Sequence, residues 1–351
     1  MSDRPRKVLH LHFGKEGGAE RFFVNLATAL GERGVEQRFA IRPGRSWDAS
    51  VAGLGPVIRT RYRKASLVGK LTEWRIRRMV AEWRPDAILA WMARAAPLIP
   101  ARTDAVTAVR LGDFASSLKH FTKCDAIVGN TPQIVAGVKA LGWEKPALTI
   151  SNFARPVEPE PVSRAALDTP EDAFVVCGAG RFVPRKGMDV LARAVAQVPE
   201  AWLWLVGDDK ERPVIEALVD ELGIRERTRF TGWVDEPIHH MAAADVLVVP
   251  SRIEPLGNVV LEGFRAGVPV VSTRSEGPGW FMRDGVDGHV VEIDDVDAIA
   301  AALQTLKNDP AERERLAQGG RRRLEEVFGV DRVVDRYLAL FDGDLSEADW
   351  V

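Results

Sequence analysis

The chain has 351 residues, 46% of them hydrophobic and 28% charged, a soluble globular composition on a length that suits two domains better than one core. Its formal charge of -2 hides a split at Arg155: residues 1–155 carry 26 Lys+Arg against 13 Asp+Glu, net +13, and the remainder 22 against 37, net -15. No apolar run approaches the roughly 20 residues of a membrane helix, the polar start lacks a signal peptide's apolar core, and Cys124 and Cys177 are the only cysteines, which excludes a cysteine-based zinc site. The expectation is a cytoplasmic protein in a reducing compartment.

In chain order, Lys7 to Phe13 reads as a first strand, residues 14–18 as a loop, and residues 19–32 as a helix with Phe22, Phe23, Leu26, Ala29 and Leu30 at core spacing. Strand candidates follow at 37–41, 87–90, 106–110, 126–129 and 148–150, and Ile76, Met79, Val80 and Trp83 form the buried stripe of an intervening helix. The Pro- and Glu-rich segment 154–163 reads as a linker. The alternation then restarts with strands at 174–179, 201–206, 228–231, 246–250, 269–272 and 289–291, and helices at 187–197, 212–222, 239–243, 258–266 and 296–307. Such βα alternation predicts an α/β fold of two doubly wound, Rossmann-like domains with the ligand cleft at the carboxyl ends of the strands. The domains are placed at 1–155 and 156–330, with 331–351 as a closing helix able to pack back on the first.

Residues 180–262 hold the candidate site. Arg181 follows a strand end and Lys186 precedes a helix, so both can reach one anionic group beside backbone N–H dipoles, the first as a fork and the second as a point charge. Glu254-Pro-Leu-Gly-Asn258 then places Leu256, Gly257 and Asn258 at a helix N-terminus suited to a phosphate. Carboxylates there would repel an anion, so Glu254 and Glu262 suit the hydroxyls at its two ends, sugar and ribose. A nucleotide diphosphate sugar has that shape. The plain alternative is that Arg181 to Lys186 is a solvated loop, Glu254 a helix cap and Glu262 a surface residue.

Gly180-Arg181 with Lys186-Gly187, Gly207-Asp208, Phe230-Thr-Gly-Trp-Val234 and Glu254-Pro-Leu-Gly-Asn-Val-Val-Leu-Glu262 together resemble the donor-binding half of glycosyltransferase family 4. The resemblance is specific across 180–295 and looser before 155, where Gly17-Gly18-Ala19-Glu20 is similar to the family's first glycine loop and Ser151-Asn152 to its interdomain Asn motif. It implies the GT-B fold and a retaining, metal-independent transfer. Arg181 and Lys186 would bind the diphosphate, Trp233 and Val234 flank the base, and Glu262 hold the ribose. Glu254 with Leu256, Gly257 and Asn258 would contact sugar and phosphate, Asp208 belongs to the same donor set, and Gly17 and Gly18 would approach the donor from the other domain.

Many family members carry a His after the fourth strand of the first domain, where this chain reads Val106-Thr-Ala-Val-Arg-Leu-Gly-Asp113. Arg110, Asp113 or His120 is left to serve the acceptor side, with helix capping as the alternative role for Asp113. Asp295-Val-Asp297 looks like a metal-binding pair but precedes a helix and reads as a cap; His10 and His12 alternate on a buried strand, and His239-His240 is expected to face solvent. No metal or other cofactor is called for.

The basic first half centres on residues 59–84, with Arg59, Arg61, Arg63, Lys64, Lys70, Arg75, Arg77, Arg78 and Arg84 against Glu73 and Glu82. It has no nucleic-acid reader motif, and its cations mix with Leu67, Val68, Leu71 and Trp74, which suits an anionic membrane surface. The expected function is a hexosyltransferase using a UDP- or GDP-sugar and an anionic glycolipid or lipopolysaccharide core acceptor, peripheral on the inner face of the cytoplasmic membrane. The alternatives are a sugar-nucleotide epimerase, a phosphorylase, or a non-catalytic sugar-nucleotide binding subunit.

Overall fold

The computed structural model describes residues 5–14, 17–63, 65–154 and 156–347; Lys64 and Arg155 lie outside the described residues. Two compact units emerge, one of residues 1–153 with 330–351 and one of residues 154–329.

The first unit carries seven parallel strands: β1 Lys7–His12, β2 Glu36–Ile41, β3 Val57–Arg59, β4 Ala87–Trp91, β5 Val106–Leu111, β6 Ala126–Gly129 and β7 Ala147–Thr149, in the order β3-β2-β1-β4-β5-β6-β7. Its helices are α1 Gly18–Glu32, α2 Asp48–Ala52, α3 Leu67–Trp83 and α4 Pro132–Ala140. The second unit carries β8 Val175–Ala179, β9 Trp202–Val206, β10 Thr228–Gly232, β11 Val246–Val249, β12 Val270–Thr273 and β13 His289–Val291, again all parallel, in the order β10-β9-β8-β11-β12-β13. Around it lie α5 Met188–Ala196, α6 Arg212–Glu221, α7 Ile238–Ala243, α8 Asn258–Ala266, α9 Glu276–Phe281, α10 Val296–Asn308 and α11 Pro310–Phe328. A last helix, α12 Val330–Phe341, belongs to the first unit.

Parallel strands need helices over both faces, so their residues are apolar without alternation. The runs Ala-Ile-Leu-Ala-Trp in β4 and Val-Val-Cys-Gly-Ala in β8 are buried throughout. Strand β3 and helix α4 were not among the sequence expectations. The first has only three residues at the sheet edge, and the second begins at a Thr131 cap and Pro132 that give little periodic signal. Segment 156–163 has no regular structure and is tied to α7: the Val162 N–H donates to the His239 carbonyl (3.2 Å) and the Glu160 N–H to His239 Nδ1 (2.9 Å). His239 and His240 are therefore half-buried, a correction to the solvent-facing expectation, and burial lowers the His240 pKa.

Helix α12 returns through its apolar face, with Val333, Val334, Tyr337, Leu340 and Phe341 buried. Its acidic residues meet basic ones: Arg33 pairs with Asp331 and Asp335, and beyond the helix end Asp342 pairs with Arg6 (2.6 Å) and Glu347 with Lys139. Exposed pairs of this kind contribute little each, so burial of the apolar face supplies most of the docking energy. With the returning segment included, the first unit holds 27 Lys+Arg against 19 Asp+Glu, net +8.

His10 and His12 lie in the core of the first unit, and burial pushes both pKa values down to about 3. Both are neutral when folded, whereas unfolded His titrates near 6.5. The unfolded chain thus binds more protons between about pH 6.5 and 3, and stability present above that window is lost as pH falls through it. The thermal midpoint is expected to drop as pH is lowered from 7 to 5, less steeply in His12→Asn, whose side-chain oxygen can still accept the Gly14 N–H. Equal slopes for the two proteins would contradict the assignment.

Candidate active site

In the second unit the strand order reverses between β8 and β11, so the loops after these strands flank the crevice at the carboxyl edge of the sheet. The first loop, residues 180–187, is clamped from both sides. A Cβ on Gly207 would fall 2.0 Å from the Gly180 carbonyl oxygen, and Gly207 has φ +134, so only glycine permits β8 and β9 to end this close together. The Phe182 N–H donates to the Asp208 carbonyl (3.1 Å), and the Glu211 N–H to the Phe182 carbonyl (3.0 Å). On the other side, the Arg252 N–H donates to the Arg185 carbonyl (2.9 Å) and Arg252 also pairs with Asp189 (2.7 Å) and Asp294 (2.6 Å).

The side chains the sequence singled out divide into a bonded set and a solvent-facing set. Lys186 Nζ donates to Glu254 Oε2, which also accepts from Ser251 Oγ (3.2 Å); the two partners are only 14% and 10% exposed. The Arg181 side chain is exposed and makes no hydrogen bond or ion pair among the described residues. Lys186, expected to face an anion, is thus engaged with a carboxylate, and Arg181 is the cation left to a ligand. Glu254 is not a helix cap: α8 begins after Gly257, which adopts the left-handed conformation with φ +93 and offers no side chain. The first-turn N–H groups of α8 point out of the helix beside Leu256 and Asn258. Glu262 lies half-buried on α8 one turn beyond Asn258.

Trp233 is 60% exposed just after β10, and Val234 beside it is half-buried. Asp208 holds Arg212 (3.1 Å) and accepts the Asp209 N–H (2.9 Å). Asp295 caps α10 by accepting the Ala298 N–H (2.9 Å), and Asp297 accepts from Gln197 (2.9 Å), so this pair performs structural work.

One group escaped the sequence reading. Glu276 Oε2 accepts the Glu254 N–H (3.0 Å), and the Gly277 N–H donates back to the Glu254 carbonyl (2.9 Å). A visible signal exists, since Ser275-Glu-Gly-Pro278 follows a strand end, as the other two loops do.

In the first unit the corresponding edge gathers His12, Arg110 and Asn152. His12 Nδ1 accepts the Gly14 N–H (3.0 Å), which puts the proton of the neutral ring on Nε2, 4.0 Å from Glu20 Oε1. Arg110 is fully buried against the rings of Phe22 (4.9 Å) and Trp91 (5.5 Å) and donates to Asn152 Oδ1; burial lowers its pKa. Asp113 is exposed, accepts the Phe114 N–H (3.0 Å) and precedes no helix, which removes the capping role. His120 is half-buried in the loop that follows. Gly17, with φ +153, immediately precedes α1, and Gly18 is its first residue.

Residues 160–323 match the family described as glycosyl transferases group 1. The lipopolysaccharide core biosynthesis glycosyltransferase LpsD of Rhizobium meliloti (strain 1021) is 48% identical over 341 residues, covering 97% of this chain and 99% of the relative. The chain belongs to the group 1 glycosyl transferases. A second relative of this glycosyltransferase, LpsE of the same organism and described in the same words, is 46% identical over 334 residues, covering 95% of this chain and 98% of the relative. Among solved structures, Anabaena HepE in complex with UDP and glucose superposes with a TM-score of 0.80 at 20% identity, over 96% of this chain and 100% of that one. The glycosyltransferase therefore has the GT-B fold.

Proposed function

We propose that this glycosyltransferase is a retaining, metal-independent hexosyltransferase that moves a sugar from a nucleoside diphosphate to an anionic acceptor of the lipopolysaccharide core. The observation that carries the reading is the pairing of the two loops at the reversal of the second sheet, with Arg181 turned to solvent and Lys186 bonded to Glu254 across the loops. Likeness to LpsD and LpsE over nearly the whole chain supports the acceptor class. HepE, which shares the fold, binds UDP.

Arg181, with Lys186 and the N-terminus of α8, meets the charge that builds on the departing diphosphate, without a divalent cation. Glu254 accepts from sugar hydroxyls, Glu262 from the ribose, and Trp233 and Val234 pack on the base. In the first unit, the exposed Asp113 is the acceptor-side candidate. Attack on the face of departure needs no protein nucleophile. Glu254→Gln and Lys186→Met, which keep shape, are expected to lower sugar transfer to core lipopolysaccharide by about 100-fold with an unchanged circular dichroism spectrum. EDTA leaves the wild-type rate as it is. Full activity in either variant, or a rate restored only by an added divalent cation, would sink this assignment.

Helix α3 supports a site of action at an anionic membrane surface. At about 100° per residue, its buried residues Gly69, Thr72, Ile76 and Val80 form one face. Leu67 (86% exposed), Leu71 (56%) and Trp74 (54%) form the opposite one, with Val68 beside them. Lys70, Arg75, Arg77 and Arg78 are exposed around and beyond this second apolar stripe. A helix apolar on both faces needs a second apolar medium, and the surrounding cations select an anionic one. Vesicles with anionic lipid should bind the protein and shift Trp74 emission to the blue, while Leu67→Ser with Leu71→Ser weakens binding by about tenfold or more. Equal binding to neutral vesicles, or no loss in the double variant, would refute the surface.

A further inference from the structure

Glu276 was absent from the donor set above, yet the loop after β12 lies along the whole loop after β11. Thr273 Oγ1 donates to the Ser251 carbonyl (2.5 Å), and the two bonds that the Glu254 backbone makes, to the Glu276 carboxylate and the Gly277 N–H, follow. A Cβ on Gly277 would fall 2.1 Å from the Leu256 carbonyl oxygen, and one on Gly257 would meet the Pro278 ring at 3.3 Å. Glu276 is therefore built into the wall that carries Glu254, and its charge sits beside that residue's backbone.

Of the paired cations around this wall, only Lys186 is bonded to one of its carboxylates. Lys186 is bonded to Glu254, Arg252 to Asp189 and Asp294, and Arg274 to Glu292 (2.8 Å). One lysine thus stands against two carboxylates, and the negative excess lies at the end of the donor site assigned to the sugar. A low-dielectric wall strengthens that field.

We propose that Glu276 is a specificity-determining residue, which with Glu254 makes the glycosyltransferase take a donor with an uncharged, hydroxylated sugar and reject one bearing a carboxylate. The inference rests on the reading that these loops hold a nucleotide sugar with Glu254 at the sugar. A carboxylated sugar would bring a third negative charge to a wall with one neutralising lysine. A neutral sugar instead offers hydroxyl donors to the carboxylate oxygens.

The test is calorimetric titration of the full chain with UDP and GDP, then with the matched pair for whichever nucleotide binds: UDP-glucose against UDP-glucuronate, or GDP-mannose against GDP-mannuronate. The neutral sugar is expected to bind more tightly than the acid by about tenfold or more. Glu276→Gln keeps an acceptor for the Glu254 N–H but removes the charge, and should narrow that gap to about threefold or less. Binding of a nucleotide with equal affinity for acid and neutral sugars overturns this inference alone, as does a gap unchanged in Glu276→Gln. If neither UDP nor GDP binds, the donor reading itself fails and the inference falls with it. The wild-type comparison stands even if the variant does not fold.

Discussion

The ion pair of Lys186 and Glu254 joins the two loops on which the proposed donor site depends. Each partner comes from the end of a different central strand, and the pair forms only because β8 and β11 are neighbours at the reversal of the sheet. Removing a charge pair from water is costly unless further hydrogen bonds complete it. Here Ser251 adds one to the carboxylate, and Glu276 and Gly277 hold the backbone of Glu254 in place. Glycines at 187 and 207 let the strand ends approach closely enough for this to occur. The result is a rigid, largely buried base from which Arg181 projects into solvent. That division suits the proposed site, where a sugar would be held in one geometry while an exposed cation meets a diphosphate.

The first unit solves a different electrostatic problem. Its cations exceed its acids even after α12 has brought six Asp and Glu back to it with residues 330–351. The acids are used locally, on Arg6, Arg33 and Lys139, and leave the stretch around α3 basic. At the carboxyl edge of its sheet the logic inverts: Arg110 is buried among aromatic rings, and the two core histidines are held neutral. Charge is displayed on the helix face and suppressed in the strand core.

The sequence made the parallel sheets legible because their strands are short, apolar and separated by helices of clear period. Strand β13 at His289–Val291 and helix α8 at Asn258–Ala266 match their expected limits, since a turn signal marks each end. Strand β3 escaped because three residues, two half-buried and one exposed, have no period to detect. The donor residues were visible as types and spacings, but their partnerships were not. That Lys186 bonds Glu254 depends on which strands are neighbours, and a spacing of 68 residues along the chain says nothing of that. Glu276 was missed for the same reason. Its partner is a backbone N–H on another loop, and backbone groups leave no mark in a sequence. The exposure of Leu67, Val68, Leu71 and Trp74, by contrast, was legible, because these apolar residues are interspersed with cations along α3.

The claim that a diphosphate binds over this ion pair is tested most directly by calorimetric titration of the full chain with UDP, GDP, UMP and GMP, in wild type and in Arg181→Ala. The account predicts that one diphosphate binds more tightly than its monophosphate by about tenfold or more, and that Arg181→Ala removes most of that difference. Equal affinity for mono- and diphosphate, or a preference untouched in Arg181→Ala, would contradict it.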